Sequence, residues 1–124
     1  PEGGLWLSAV LPPPAPAHIQ VARAVADALR GALGVPVEAD PPNDLVLYGK
    51  KLGGILIESS FQGEREGVVI VGIGINANNP LSGRLRDTAI SLREALGKDV
   101  DLGKLLEIVL RGLEYLLRRR ECRG

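Results

Sequence analysis

The sequence predicts an α+β fold, with helices packed on one face of a mainly antiparallel mixed sheet. Three observations carry that expectation. The order of segments is strand, helix, a run of strands, then helices; the links inside the strand run are too short for parallel crossovers; and the composition is that of a core-forming chain. At 124 residues, 45% hydrophobic and 24% charged, the chain is the size of one small domain, read here as residues 1–124.

Leu5 to Leu11 alternates Leu5, Leu7 and Ala9 with Trp6, Ser8 and Val10, and neither set is strongly polar, so the pattern predicts an interior strand. Pro12 to Pro16 stops it. From Ala17 to Leu33 apolar residues at 22, 25, 26, 29 and 33 follow helical spacing, and Gly34 followed by Val35-Pro36 ends the helix. Val35 to Ala39, Leu45 to Tyr48, Leu52 to Ser59 and Gly67 to Ile75 then read as strands. Gly49-Lys50-Lys51 is a tight link, and Gln62 to Glu66 a polar reversal containing glycine. Residues 78–83 form a loop, Ser91 to Leu96 a short helix, and Asp101 a cap for a last helix carrying Leu102, Leu105, Leu106, Val109, Leu113, Leu116 and Leu117. Arg118, Arg119 and Arg120 in its final turns complement the negative end of the helix dipole.

Composition bounds the chemistry. Fifteen basic and fifteen acidic residues leave no cationic surplus for a phosphate backbone, so nucleic acid is not the expected partner. The longest apolar run, Val68 to Ile75, is far short of the about 20 residues that cross a bilayer, so no membrane association is expected. One cysteine, Cys122, precludes an internal disulfide, and no charged leader precedes an apolar stretch at the amino end; a reducing, cytoplasmic setting is the expectation. His18 and Cys122 alone cannot build a Cys/His zinc site, and no protein-held metal is expected. His18, near the predicted helix start, reads as a surface residue.

Two segments carry candidate chemistry. Gly72-Ile73-Gly74-Ile75-Asn76-Ala77 fits a loose dinucleotide fingerprint, yet Asn78-Asn79-Pro80 follows and forbids the helix that such a site needs. What remains is a strand whose two glycines let a flat ligand or another backbone approach, followed by asparagines able to bond a base or ureido group; a glycine bulge and turn explains it equally. In the second segment Pro41-Pro42 fixes a turn, Asn43 and Asp44 follow, and a hairpin returns Lys51 beside them, with Gly53-Gly54 clearing space. A lysine, a carboxylate and bare backbone suit a phosphate ligand, while a plain turn with a basic hairpin tip is the structural alternative.

Taken together these segments closely resemble the biotin protein ligase catalytic domain, with its Lys-Trp-Pro-Asn-Asp, Lys-x-x-Gly-Ile-Leu and Gly-Ile-Gly-Ile-Asn motifs. The chain shows Asn43-Asp44, Lys51-Leu-Gly-Gly54-Ile-Leu and Gly72-Ile-Gly-Ile-Asn76-Ala-Asn78 in that order and near that spacing. Gly3 to Ser8 and Ala89-Ile-Ser-Leu92 resemble further family segments, so the likeness covers nearly the whole chain. It implies the fold shared by biotin ligases and class II aminoacyl-tRNA synthetases. It also implies the activity: biotin and ATP, with Mg2+ on the phosphates, give biotinyl-5'-AMP, and biotin then passes to a lysine of biotin carboxyl carrier protein. By the same resemblance Lys51 and Asp44 are catalytic, and Lys51, Gly53, Gly54, Gly72, Ile73 and Gly74 bind biotin. Asn43, Ile75, Asn76 and Asn78 fall on the nucleotide side.

The departures qualify this. Asp40-Pro41 stands where the family has Lys-Trp. The family's amino-terminal half, with its Gly-Arg-Gly-Arg adenylate loop, would lie before Pro1, and the small carboxy-terminal β-domain of many members is missing too. The expectation is therefore the carboxy-terminal portion of a catalytic domain, completed by an amino-terminal chain or paired as a homodimer. A non-catalytic homologue that binds biotin adenylate or carrier protein, and a lipoate-protein ligase, are the alternatives.

Overall fold

The computed structural model describes residues 3–123, with side chains through Arg120. Cys122 thus lies outside the described side chains. In order the chain forms β1 (Leu5–Leu11), α1 (His18–Leu33), β2 (Glu38–Asp40), β3 (Asp44–Leu47), β4 (Lys50–Gln62), β5 (Arg65–Ile75), α2 (Leu85–Thr88), α3 (Leu92–Leu96) and α4 (Leu102–Arg123). The strands make one sheet in the order β1-β5-β4-β3-β2, with every ladder antiparallel. The parallel element of the predicted mixed sheet is a single bridge between Lys51 and Ala89.

Each boundary has a local cause. Ala17 has no side-chain oxygen to cap α1, so Gln20 reaches back and its Oε1 accepts the Ala17 N–H at 2.8 Å. At the other end Gly34, at φ +71°, donates its N–H to the Arg30 carbonyl. The β3–β4 hairpin turns on Tyr48 and Gly49, both at positive φ, the two-residue geometry that matches strand twist. Ser91 Oγ accepts the Glu94 N–H and caps α3, and Asp101 Oδ1 accepts the Lys104 N–H, the cap expected of it.

The core lies between one sheet face and the helices. Val21, Val25 and Leu29 of α1 pack with Leu45, Leu52, Ile55, Val71 and Ile73 of the sheet, and Leu105, Val109 and Leu113 of α4 join them. The helices α1 and α4 touch through small residues: a methyl on Gly112 would lie 3.0 Å from the Ala24 carbonyl oxygen and 3.2 Å from the Ala28 Cβ. The opposite face of the sheet is open and presents Trp6 and Ser8 of β1 beside Gly74 and Gly72 of β5, and Val10 beside Ile70.

Three expectations change. Among the described residues β1 is an edge strand, not an interior one. It is apolar on both sides because one face packs on helices and the other walls a cavity, which leaves the same signature as two neighbouring strands. Residues 35–37 do not join the sheet: Val37 N–H turns back onto the Val35 carbonyl at 2.8 Å, and Pro36 has no N–H for a ladder. The β4–β5 hairpin is longer than predicted and reverses only at Gly63-Glu64, because its end projects past β3, where polar residues are solvated on both faces. One further element, α2, has no counterpart in the predicted list.

Candidate functional site

Lys51 is placed by an irregularity. Between β3 and β4 the pairing passes from Leu45–Gly53 to Val46–Lys51, leaving Leu52 as an extra residue. Such a bulge reverses the side-chain parity of the strand. Leu52 and Ile55 therefore both enter the core, while Lys51 and Gly54, three positions apart, share the open face. The backbone of Lys51 is held from the other side as well, its carbonyl accepting the Ile90 N–H at 2.9 Å.

Asp44 pairs with Gly54 across the ladder, and its Oδ1 lies 3.5 Å from Lys51 Nζ. Both groups reach above Gly54: a methyl there would lie 3.8 Å from Asp44 Oδ1 and 3.9 Å from Lys51 Cε. The Lys51 side chain is 58% exposed and that of Asp44 33%, so this is a solvated pair whose ammonium remains available to an anion. Asp40 stands directly opposite Asp44 in the β2–β3 ladder.

From this pair a cavity of about 790 Å³ runs over the open sheet face. Its floor follows the register, with Trp6, Gly74 and Gly54 side by side and then Ser8, Gly72 and Leu56. The four glycines divide into two kinds. Gly53 is demanded by the fold, since a methyl there would sit 2.0 Å from the Gly74 carbonyl oxygen, and Gly74 is covered by the exposed Trp6 ring, which a methyl would strike at 2.5 Å. Gly54 and Gly72 have room, the nearest atoms to their added methyls lying at 3.8 Å and 3.6 Å. Nothing in the chain's own packing requires glycine at these two, which leaves the space above them to a ligand.

The remaining expected residues take different places. Ile73 and Ile75 turn their side chains into the core, leaving only Ile73 at the edge of the cavity. Asn43 lines the cavity, but its Nδ2 donates to the Ile55 carbonyl at 3.0 Å while its own carbonyl accepts the Ile55 N–H at 2.9 Å, so it extends the β3–β4 ladder. Asn76 also lines it, with Nδ2 donating to the Ile90 carbonyl and Oδ1 accepting from Asn79 Nδ2. Asn78 is not brought to the cavity. Its amide bonds Val100 at both ends, donating to the carbonyl and accepting the N–H, each at 2.7 Å.

His18 opens α1, the helix-terminal position expected of it, and is half-buried there. Its Nε2 accepts the Ile57 N–H at 3.1 Å and so closes the edge of β4 where β3 stops. Residues absent from the expected site also line the cavity, above all Trp6, which is 56% exposed and lies on Gly74, and Leu85 of α2. Trp6 shares its alternation phase with Ser8, a visible signal, but its placement over Gly74 depends on strand register.

An antiparallel sheet backed by helices is also the fold of several proteins of known structure. The profile of the Biotin/lipoate A/B protein ligase family matches residues 1–76, more than half of the chain. The chain belongs to that family. It is 34% identical over 116 residues to the bifunctional ligase/repressor BirA of Bacillus subtilis, covering 86% of this chain and 36% of BirA. It is 35% identical over 115 residues to the biotin–[acetyl-CoA-carboxylase] ligase of Paracoccus denitrificans, covering 88% of this chain and 45% of that one. The biotin protein ligase of Aquifex aeolicus, solved in complex with biotin and ATP, superposes with a TM-score of 0.81 at 33% identity, covering 95% of this chain and 51% of that one. The chain thus spans about a third to a half of the length of these proteins.

Proposed function

We propose that the chain carries the lysine-bearing part of a biotin–protein ligase site. Biotin's carboxylate attacks the α-phosphorus of ATP and pyrophosphate leaves; the ε-amine of a carrier-protein lysine then attacks the acyl carbon of biotinyl-5'-AMP and AMP leaves. Negative charge gathers on the phosphoryl and acyl oxygens in both steps, and Lys51 meets it. Asp44 orients Lys51 in the first step and accepts the proton of the acceptor amine in the second. Gly54 and Gly72 floor the biotin trough, with Gly53, Ile73 and Gly74 as its frame. Asn43 and Asn76 lie on the nucleotide side, while Ile75 and Asn78 act as positioning residues behind it.

The observation that carries this reading is the meeting of Lys51 and Asp44 above Gly54, at one end of a trough whose Gly54 and Gly72 the fold does not itself require. Mg2+ would be held by the nucleotide's phosphates, where it would neutralise their charge; among the described residues no three His, Cys, Asp or Glu side chains converge on a metal position. Among the described residues no helix is long and apolar enough to cross a membrane.

The open outer edge of β1, seven residues without a charge, fits a further strand from an amino-terminal portion of the protein or from a second copy. One observation favours a second reading. Asp40 faces Asp44 where the family pattern has a lysine, and the added negative charge suits binding without turnover.

The deciding experiment is MgATP-dependent transfer of labelled biotin to a carboxyl carrier domain, by this chain alone, by the chain with an amino-terminal half of a ligase, and by the full-length protein. Labelling that needs the amino-terminal half and is lost in Lys51→Ala is the expected result. Absence of labelling from folded full-length protein overturns the enzyme reading, and retained biotin binding would then support the second.

A further inference from the structure

We infer that Asn79 is a positioning residue for the nucleotide side of the site, acting through the amide of Asn76; this rests on the biotin–protein ligase reading above. Among the described residues only Asn79 and Ser91 are buried polar residues, each 1% exposed. The burial of Ser91 is accounted for by its cap on α3. Asn79 bonds a backbone group on one side, its Oδ1 accepting the Ala77 N–H at 2.9 Å, and a side chain on the other, its Nδ2 donating to Asn76 Oδ1 at 3.2 Å. A turn needs only the first of these bonds; the second reaches a residue that lines the cavity.

The donors run in one direction. A backbone N–H can only donate, so the oxygen of the Asn79 amide stands at Ala77 and its nitrogen faces Asn76. That nitrogen can only donate, so Asn76 meets it with oxygen and turns its own nitrogen to the Ile90 carbonyl, an acceptor only, at 3.3 Å. Both amides are thereby held one way round between a backbone donor and a backbone acceptor, with Asn79 at the start of the chain. The backbone of Asn76 is fixed as well, its N–H on the Leu52 carbonyl and its carbonyl under the Leu92 N–H. Ile90, which anchors the Asn76 amide, also donates its N–H to the carbonyl of Lys51. Asn76 is left with one amide hydrogen and one oxygen lone pair for a ligand, their polarity set before the nucleotide arrives. Without Asn79 the amide keeps only its bond to Ile90, the longer of the two, and is free to turn about χ2. With aspartate at that position an ionised carboxylate still accepts the Ala77 N–H but sets oxygen against the oxygen of Asn76, which works against the native orientation.

The test measures pyrophosphate release by the full-length protein at pH 8, with MgATP and biotin varied in turn. It is run on wild type, Asn79→Ala, Asn79→Asp, Asn76→Ala, the double variant Asn76→Ala/Asn79→Ala and Lys51→Ala, each checked for cooperative thermal unfolding. Asn79→Ala is expected to raise KM for MgATP by about three- to tenfold, the scale of one lost hydrogen bond, and Asn79→Asp by at least as much, with kcat and KM for biotin within about twofold of wild type. In the Asn76→Ala background Asn79→Ala should raise KM for MgATP no further. A merely structural role would lower Tm and leave KM for MgATP unchanged in both Asn79 variants, which overturns the inference; so does an equal further rise in the Asn76→Ala background, and so does loss of cooperative unfolding in both Asn79 variants. In each of these cases an active wild type and an inactive Lys51→Ala leave the ligase reading standing. Wild type and Lys51→Ala indistinguishable in pyrophosphate release overturns the ligase reading and the role of Asn79 with it.

Discussion

Replacing Gly72 by alanine should move stability and ligand binding in opposite directions. The added methyl meets only the Leu56 carbonyl oxygen at 3.6 Å and the Leu56 Cβ at 3.9 Å, ordinary contact distances that ask nothing of the backbone. Removing a glycine from a strand interior is worth roughly 0.5–1 kcal/mol through the unfolded chain, and in a domain of this size that raises Tm by about 2–5 °C. The same methyl stands in the space assigned to the biotin ring and chain. Overpacking there costs about 1–3 kcal/mol, a loss of about 5- to 150-fold in Kd. Thermal unfolding and calorimetric titration with biotin on the full-length protein measure the two effects. A fall in Tm would show that Gly72 is required by the fold, and unchanged biotin affinity would show that no ligand lies over it; either refutes the reasoning. Gly53→Ala is the contrast, since its methyl would collide with the Gly74 carbonyl oxygen at 2.0 Å and should destabilise by more than 1 kcal/mol whatever the ligand does.

Lys51→Ala should lower the rate of adenylate formation by about 2–4 kcal/mol of transition-state stabilisation, read by pyrophosphate release, while Tm stays nearly constant because the Asp44 pair is solvated. Asn78→Ala removes both hydrogen bonds to Val100 and should cost about 1–3 kcal/mol in a urea titration, with Asn78→Asp recovering the acceptor half alone. His18→Ala leaves the Ile57 N–H without its acceptor, and hydrogen exchange at that amide should accelerate ahead of its neighbours on β5. Gly112→Leu forces α4 away from Ala24 and Ala28 and should destabilise by about 1–3 kcal/mol, seen as a lower denaturation midpoint.

The α+β class, α1 with its Gly34 stop, the short helix after Ser91 and the Asp101 cap were legible in the sequence because each depends on a few neighbouring residues; the tight link between β3 and β4 was legible as well, but at Gly49-Lys50-Lys51, whereas the chain turns at Tyr48-Gly49 and Lys50 and Lys51 already belong to β4. Family membership was legible for the same reason, in short motifs read in order. Distances across strands are another matter. Period-two counting places Lys51 with Gly53 and Ile55, and only the extra residue at Leu52, which exists against β3, puts Lys51 over Gly54 beside Asp44. The likeness of the four glycines in the sequence hides the difference between two covered by neighbouring atoms and two that are not. Asn78 reads like Asn76 until Val100, 22 residues away, takes its amide. Local chemistry and its order are thus properties of the chain itself. Which face a side chain occupies and what stands opposite it are set by register, and register is a relation between strands that no single segment contains.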